Sequence, residues 1–143
     1  MTPQEHHQEL SNKLFKIIES DFASQGEVLA HLVIAVQDSG ILITPVQNLI
    51  NHGDIGKAAV QKMLEIIMQQ TEVLWCALVA EAWETKVDTD EIREVVVTSI
   101  YTSSFQSATS HRIDRSTTPA QLIEGTPSKI TLGRFSNVIP TQH

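Results

Sequence analysis

A chain of 143 residues with 41% hydrophobic and 19% charged side chains has room for one domain with its own core, and is too apolar to be wholly disordered. Ten Lys and Arg against 17 Asp and Glu leave a net charge of -7, and the basic residues form no dense cluster, so nucleic-acid binding is disfavoured. The single cysteine, Cys76, excludes an intrachain disulfide and a multi-cysteine zinc site.

The first helix is marked by Thr2, Pro3 and Glu5: a capping hydroxyl, a proline at the first helical position and an acid placed to bond back to the cap. Leu10, Leu14, Ile17, Ile18 and Phe22 then recur at helical spacing as one apolar stripe, and Gly26 is the natural stop. Such a stripe has two uses, packing on the chain's own sheet or on another subunit. Val28 to Gln37 and Ile41 to Gln47 are rich in branched apolar residues and flank Asp38-Ser39-Gly40, which predicts a β-hairpin with Gly40 left-handed. Pro45 has no amide hydrogen for a neighbouring strand, so the second arm belongs at the sheet edge and the first arm inside the sheet.

After the polar break Asn51-His52-Gly53, Asp54 can cap a helix whose expected inner face is Ile55, Ala59, Met63, Ile66 and Ile67. Thr71 to Glu84 reads as the long central strand, apolar on both faces: Val73, Trp75, Ala77 and Val79 on one, Leu74, Cys76, Leu78 and Ala80 on the other. Buried there, Cys76 has a structural role. Val87 to Asp90 reads as a loop, and Ile92 to Phe105 returns as a strand with Val95, Val97 and Tyr101 on one face and Val96 and Ile100 on the other. From Thr98 onward serine and threonine thin the apolar pattern, which suggests a strand leaving the core for an edge, arm or loop. Short edge strands are expected at His111 to Arg115 and Lys129 to Phe135, with Thr118-Pro119 and Thr126-Pro127 as connections and Pro140 to His143 as a tail.

These elements predict a single α+β domain over residues 1–143, less regular from about residue 103. Its sheet is mainly antiparallel with about five strands, in the order helix, β-hairpin, helix, β-hairpin, short edge strands. Apolar patterning on both sheet faces calls for two covers, the second being a helix or another copy of the molecule, so a homo-oligomer is expected. Met1 to Glu9 has no apolar secretory region and Val73 to Ala82 is too short to span a bilayer. The expected setting is cytoplasmic, or a soluble assembly such as a virion.

There is no glycine-rich phosphate loop, Gly-x-Ser-x-Gly elbow or His-Glu-x-x-His in the sequence. No metal or cofactor is expected, and no catalytic residue is assigned. His6, His7 and His52 read as surface residues, and His31, alternating with Leu29 and Val33, as a satisfied core histidine. Glu81 shares a face with Val79 and Trp83 and needs a partner there. A hairpin register with Trp83 opposite Arg93 would set Glu81 diagonal to Arg93 and stack an ion pair on the indole. In His111-Arg112-Ile113-Asp114-Arg115 an extended chain puts His111, Ile113 and Arg115 on one side and Arg112 with Asp114 on the other. That run could hold an anion or guard a sheet edge, and with Arg134 it completes the candidate binding surface.

Leu78-Val79-Ala80-Glu81-Ala82-Trp83, then Ile92-Arg93-Glu94-Val95-Val96-Val97, then Ile113 and Arg115, resemble a group of small bacterial and phage proteins. In that group an apolar strand ends in Glu-Ala-Trp, an Arg-Glu pair opens the next strand and an Ile-x-Arg element follows. The resemblance spans roughly Val28 to Arg134 and implies a shared fold; no activity comes with it. The functional expectation is a non-enzymatic, self-associating interaction or structural protein, a component of a phage or related assembly. The alternative is a small enzyme or ligand-binding domain using Glu81, Arg93, His111 and Arg112. A minor one is an acidic inhibitor of a nucleic-acid-binding host enzyme, suggested by the -7 charge alone.

Overall fold

The computed structural model describes residues 3–85, 92–103, 106–116, 121–123 and 126–127. Thr2, the loop Val87 to Asp90, Thr118-Pro119, Lys129 to Phe135, Arg134 within it, and the tail Pro140 to His143 lie outside the described residues. The elements are α1 (Pro3–Gln25), β1 (His31–Val36), β2 (Gly40–Pro45), α2 (Gln47–Ile50), α3 (Gly53–Met68), β3 (Val73–Thr85), β4 (Ile92–Tyr101), β5 (Gln106–Asp114), β6 (Gln121–Leu122) and β7 (Thr126–Pro127). All strand pairs are antiparallel, in the order β2-β1-β3-β4-β5-β6, with β7 also on β5. The α+β class and the antiparallel sheet are as the sequence predicts.

Because β1 is antiparallel to both β2 and β3, the two flanking strands run parallel and the chain must cross over β1 between them. α3 makes that crossing and buries Val60 and Leu64 with Leu32, Cys76, Leu78 and Tyr101 on one sheet face. On the other face Leu10, Leu14, Ile18 and Phe22 of α1 pack with Val33, Ala77, Val79, Val96, Ile100 and Ile113. α1 therefore covers its own sheet, and the two helices supply both covers that the patterning calls for. It ends where expected: Gly26 is left-handed at φ 73°, and its N–H donates to the Phe22 carbonyl at 2.7 Å. Gly40, at φ 87°, likewise takes the left-handed position in the hairpin.

Four expectations are corrected. The inner face of α3 is centred on Gly56, Val60 and Leu64, with the expected Met63 and Ile67 half-buried against the same core and Ile55 and Ile66 exposed, because Gly56 must pass against the backbone of α2 at Leu49. Residues after Pro45 form the short helix α2, held by the Val46 amide donating to the Ala30 carbonyl and the Ala30 amide to Gln47 Oε1. The Ser/Thr-rich stretch makes an inner strand: β5 spans Gln106–Asp114 and pairs along β4, with Thr98, Ser99 and Ser110 buried. Thr126–Pro127, expected as a connection, instead forms β7 on β5. Leu29, just before β1, is exposed.

Cys76 is fully buried, and loss of solvation pushes its thiol up to about 12, which keeps it protonated and inert. Burial likewise pushes the Tyr101 hydroxyl up to about 12.

Candidate functional site

Two surfaces hold side chains that could meet a partner: a cleft near the loop end of the β3–β4 hairpin, and the edge of β2 that is unpaired among the described residues. The cleft, of about 420 Å³, lies between the Glu27–Leu29 segment, Gln47 of α2 and Asn51 just after it, the end of β3 at Glu81 and Trp83, Glu94 of β4 and Ile113 of β5. Glu81 does share the α1 face with Val79 and Trp83, but the hairpin register is shifted by one from the expected pairing. Trp83 stands opposite Glu94, and Glu84 opposite Arg93. A one-residue shift moves every side chain of a strand to the other face, so Arg93 lies on the α3 side, away from Glu81. Both faces of β4 are apolar, so its hydrophobic pattern does not choose between the registers.

The guanidinium on the Glu81 face is Arg115. Its Nε and Nη2 donate to both Glu94 oxygens at 2.8–3.1 Å, and the guanidinium holds the Glu94 carboxyl below its usual range. Glu81 finds its partner in the backbone, where the Val28 amide donates to Oε1 at 2.9 Å and ties the α1–β1 connection to the end of β3. Trp83 is 71% exposed beside them. Since both members of the Glu94–Arg115 pair are partly solvated, Arg115→Ala should lower stability by less than about 1 kcal/mol in chemical denaturation.

His111 sits directly across from Val96, which is itself across from Glu81, so the three form one row on the α1 face. α1 covers the far end of that row: His111 is buried, and Phe15 stacks on it with ring centroids 4.5 Å apart and planes 16° from parallel. Arg112 is exposed on the opposite face. Asp114 accepts from the Ser116 amide, and Ser116 holds its carboxyl below the ordinary value. His31, half-buried, places Nδ1 2.8 Å from the Leu29 carbonyl. The sequence-predicted residues Glu81, Trp83 and Arg115 are thus brought together, while Arg93 and Arg112 are turned to the other face and His111 is shut under α1. Among the described residues no group of three or more His, Cys, Asp or Glu could hold a metal ion.

Burial lowers the pKa of His111, opposed in part by a hydrogen bond with the Ile123 backbone. The unfolded chain then binds a proton more readily than the folded one, so this stability is present above the ordinary value of 6.5 and is lost as pH falls below it. Denaturation midpoints of the wild type should fall from pH 7 to pH 5 more steeply than those of His111→Phe. Parallel curves would show that His111 does not carry this dependence.

At the other side of the sheet β2 has one neighbour, β1, and its outer edge is unpaired among the described residues. Every second residue of an edge strand turns its N–H and C=O away from the sheet, as a template for another strand. Ile41, Leu42 and Ile43 are 56%, 52% and 58% exposed on that edge, Ile41 and Ile43 towards the α1 face and Leu42 towards the α3 face. The sequence reading places this strand at the edge but does not single it out as a site; the available signal was three consecutive aliphatic residues without the charge that ordinarily guards an edge. No helix is long and apolar enough to cross a membrane among the described residues. No protein-family model, curated protein or solved structure matches the chain.

Proposed function

We propose that the protein is a non-enzymatic interaction protein that self-associates, working as a structural or accessory part of a larger assembly, of the phage or a related kind. The observation that carries this reading is the β2 edge: an uncharged strand, unpaired on its outer side among the described residues, with three consecutive aliphatic side chains more than half exposed, on a domain whose own two helices already cover its sheet. Monomeric domains guard such an edge with lysine, proline or a bulge, because an unguarded one pairs with other chains. In this strand only Pro45, at its end, does so.

Light scattering over a dilution series at low and high salt tests the reading. Self-association is expected at high protein concentration. It should strengthen with salt, since salt screens repulsion between chains that each carry -7 while leaving apolar burial intact. A monomer of one mass at every concentration and salt would overturn it.

A further inference from the structure

Granting the self-association just proposed, we infer that its interface is β2 paired antiparallel with β2 of a second copy, centred on Leu42, so that two sheets become one. The inference rests on symmetry, on Pro45 and on the charge map. A two-fold axis normal to the sheet maps each face onto itself, and directly opposed residues of neighbouring strands point to the same face. Adjacent residues point to opposite faces, so each possible register must set one residue opposite its own copy.

Three centres lie within the aliphatic run. Centring on Ile43 brings Pro45, which has no N–H, into the ladder opposite Ile41. Centring on Ile41 pairs only residues 40–42 within the strand. Centring on Leu42 pairs residues 40–44, leaves Pro45 outside, and opposes like with like: Leu42 to Leu42 on the α3 face, and Ile41 to Ile43 twice on the α1 face.

Charge selects the same edge. From Ser39 to Gly53 the sequence has no Asp, Glu, Lys or Arg, so this edge is a neutral window on a chain of net -7. In the Leu42-centred register Asp38, the nearest acid, falls opposite Val46 of the other copy and meets no like charge. The two α1 helices then lie on one side of the joined sheet and the two α3 helices on the other.

A cysteine at the centre tests the register, because directly opposed Cα atoms in an antiparallel pair are roughly 4.5–5.5 Å apart, within disulfide range. Leu42→Cys, with Cys76 left in place since it is buried and inert, should oxidise to a covalent dimer under a mild oxidant. Its yield should be at least about tenfold above that of Leu74→Cys, an exposed position on β3 away from the β2 edge. As a second pair, mixed Ile41→Cys and Ile43→Cys proteins should cross-link to each other in preference to themselves. A self-associating wild type in which neither pair links would place the interface elsewhere and overturn this inference while leaving the proposed function standing. A wild type monomeric at all concentrations overturns both. A monomeric Leu42→Cys variant whose introduced thiol is shielded from thiol reagents would mean that the chain covers its own edge, and would also overturn both.

Discussion

Gly56→Ala is expected to destabilise the fold by about 3 kcal/mol or more, or to prevent native packing of α2 on α3. A Cβ at this position would stand 1.5 Å from the Leu49 carbonyl oxygen and 2.5 Å from its carbon, both backbone atoms that no rotamer change can move aside. The alanine itself favours a helix over glycine by only about 1 kcal/mol, so the clash decides the sign. Relief requires α2 to lift from α3. α2 is tied through Val46 and Gln47 to Ala30 at the start of β1, so the strain reaches the β1–β2 hairpin that presents the proposed interface. Urea denaturation gives the loss directly; a midpoint equal to the wild type would show that the helices do not approach this closely.

The second large effect is expected at Phe22. Its side chain is buried in the last turns of α1, in the same apolar core as Val28, Val33 and Val79, and truncation to alanine removes a large ring from a core that cannot fully collapse, at a cost of about 3–5 kcal/mol. A domain of this size has a net stability of roughly 5–15 kcal/mol, so Phe22→Ala should be marginal. The same variant separates the two uses that the α1 stripe allows. With α1 on its own sheet the loss is the same at every protein concentration. A loss that grows on dilution would mean that α1 packs on another copy.

How much of this was legible in the sequence follows from how sharply each segment distinguishes its two faces. The long strand β3 alternates over so many residues that its faces from Trp75 to Ala80 are assigned correctly, whereas a register shift beside Ala35 and Val36 sets Val73 opposite Val36 and breaks the alternation there; Pro45 alone places β2 at the edge. Gly26 is equally plain, since a left-handed residue is needed where α1 stops. His111 to Asp114 was read as a strand, but the first half of β5 was hidden because Gln106 to Ser110 is polar and mostly small. Thr98, Ser99 and Ser110 are accepted in the interior, where the sheet ladder satisfies their backbones and hydroxyls are small, and no composition signal marks that.

The inner stripe of α3 was right at Met63 and Ile67 and wrong at Ile55 and Ile66, for a different reason. Ile55 and Ile66 complete an apolar periodicity, but packing needs the residue with no side chain, Gly56, to face α2, which turns the helix so that both isoleucines meet solvent. For the site, the sharing of one face by Glu81 and Trp83 was readable from alternation within a strand. The partners were not, because they depend on register between strands. With valines on both faces of β4 nothing local distinguishes Arg93 from Glu94 as the residue opposite Trp83. Arg115 reaches that face only because β5 pairs with β4 in the register that sets Ile113 beside Glu94, a contact across 21 positions of sequence.

Sedimentation equilibrium of the wild type beside Leu42→Lys tests the central claim, that this domain joins its own kind through β2. In the proposed register the substitution sets two ammonium groups directly opposite each other in an apolar seam, while in the single chain it only adds a charge at an exposed edge. The account predicts a wild type whose mass rises above the monomer with concentration and a variant that stays monomeric with an unchanged thermal unfolding curve. Equal masses for the two proteins at every concentration would contradict it.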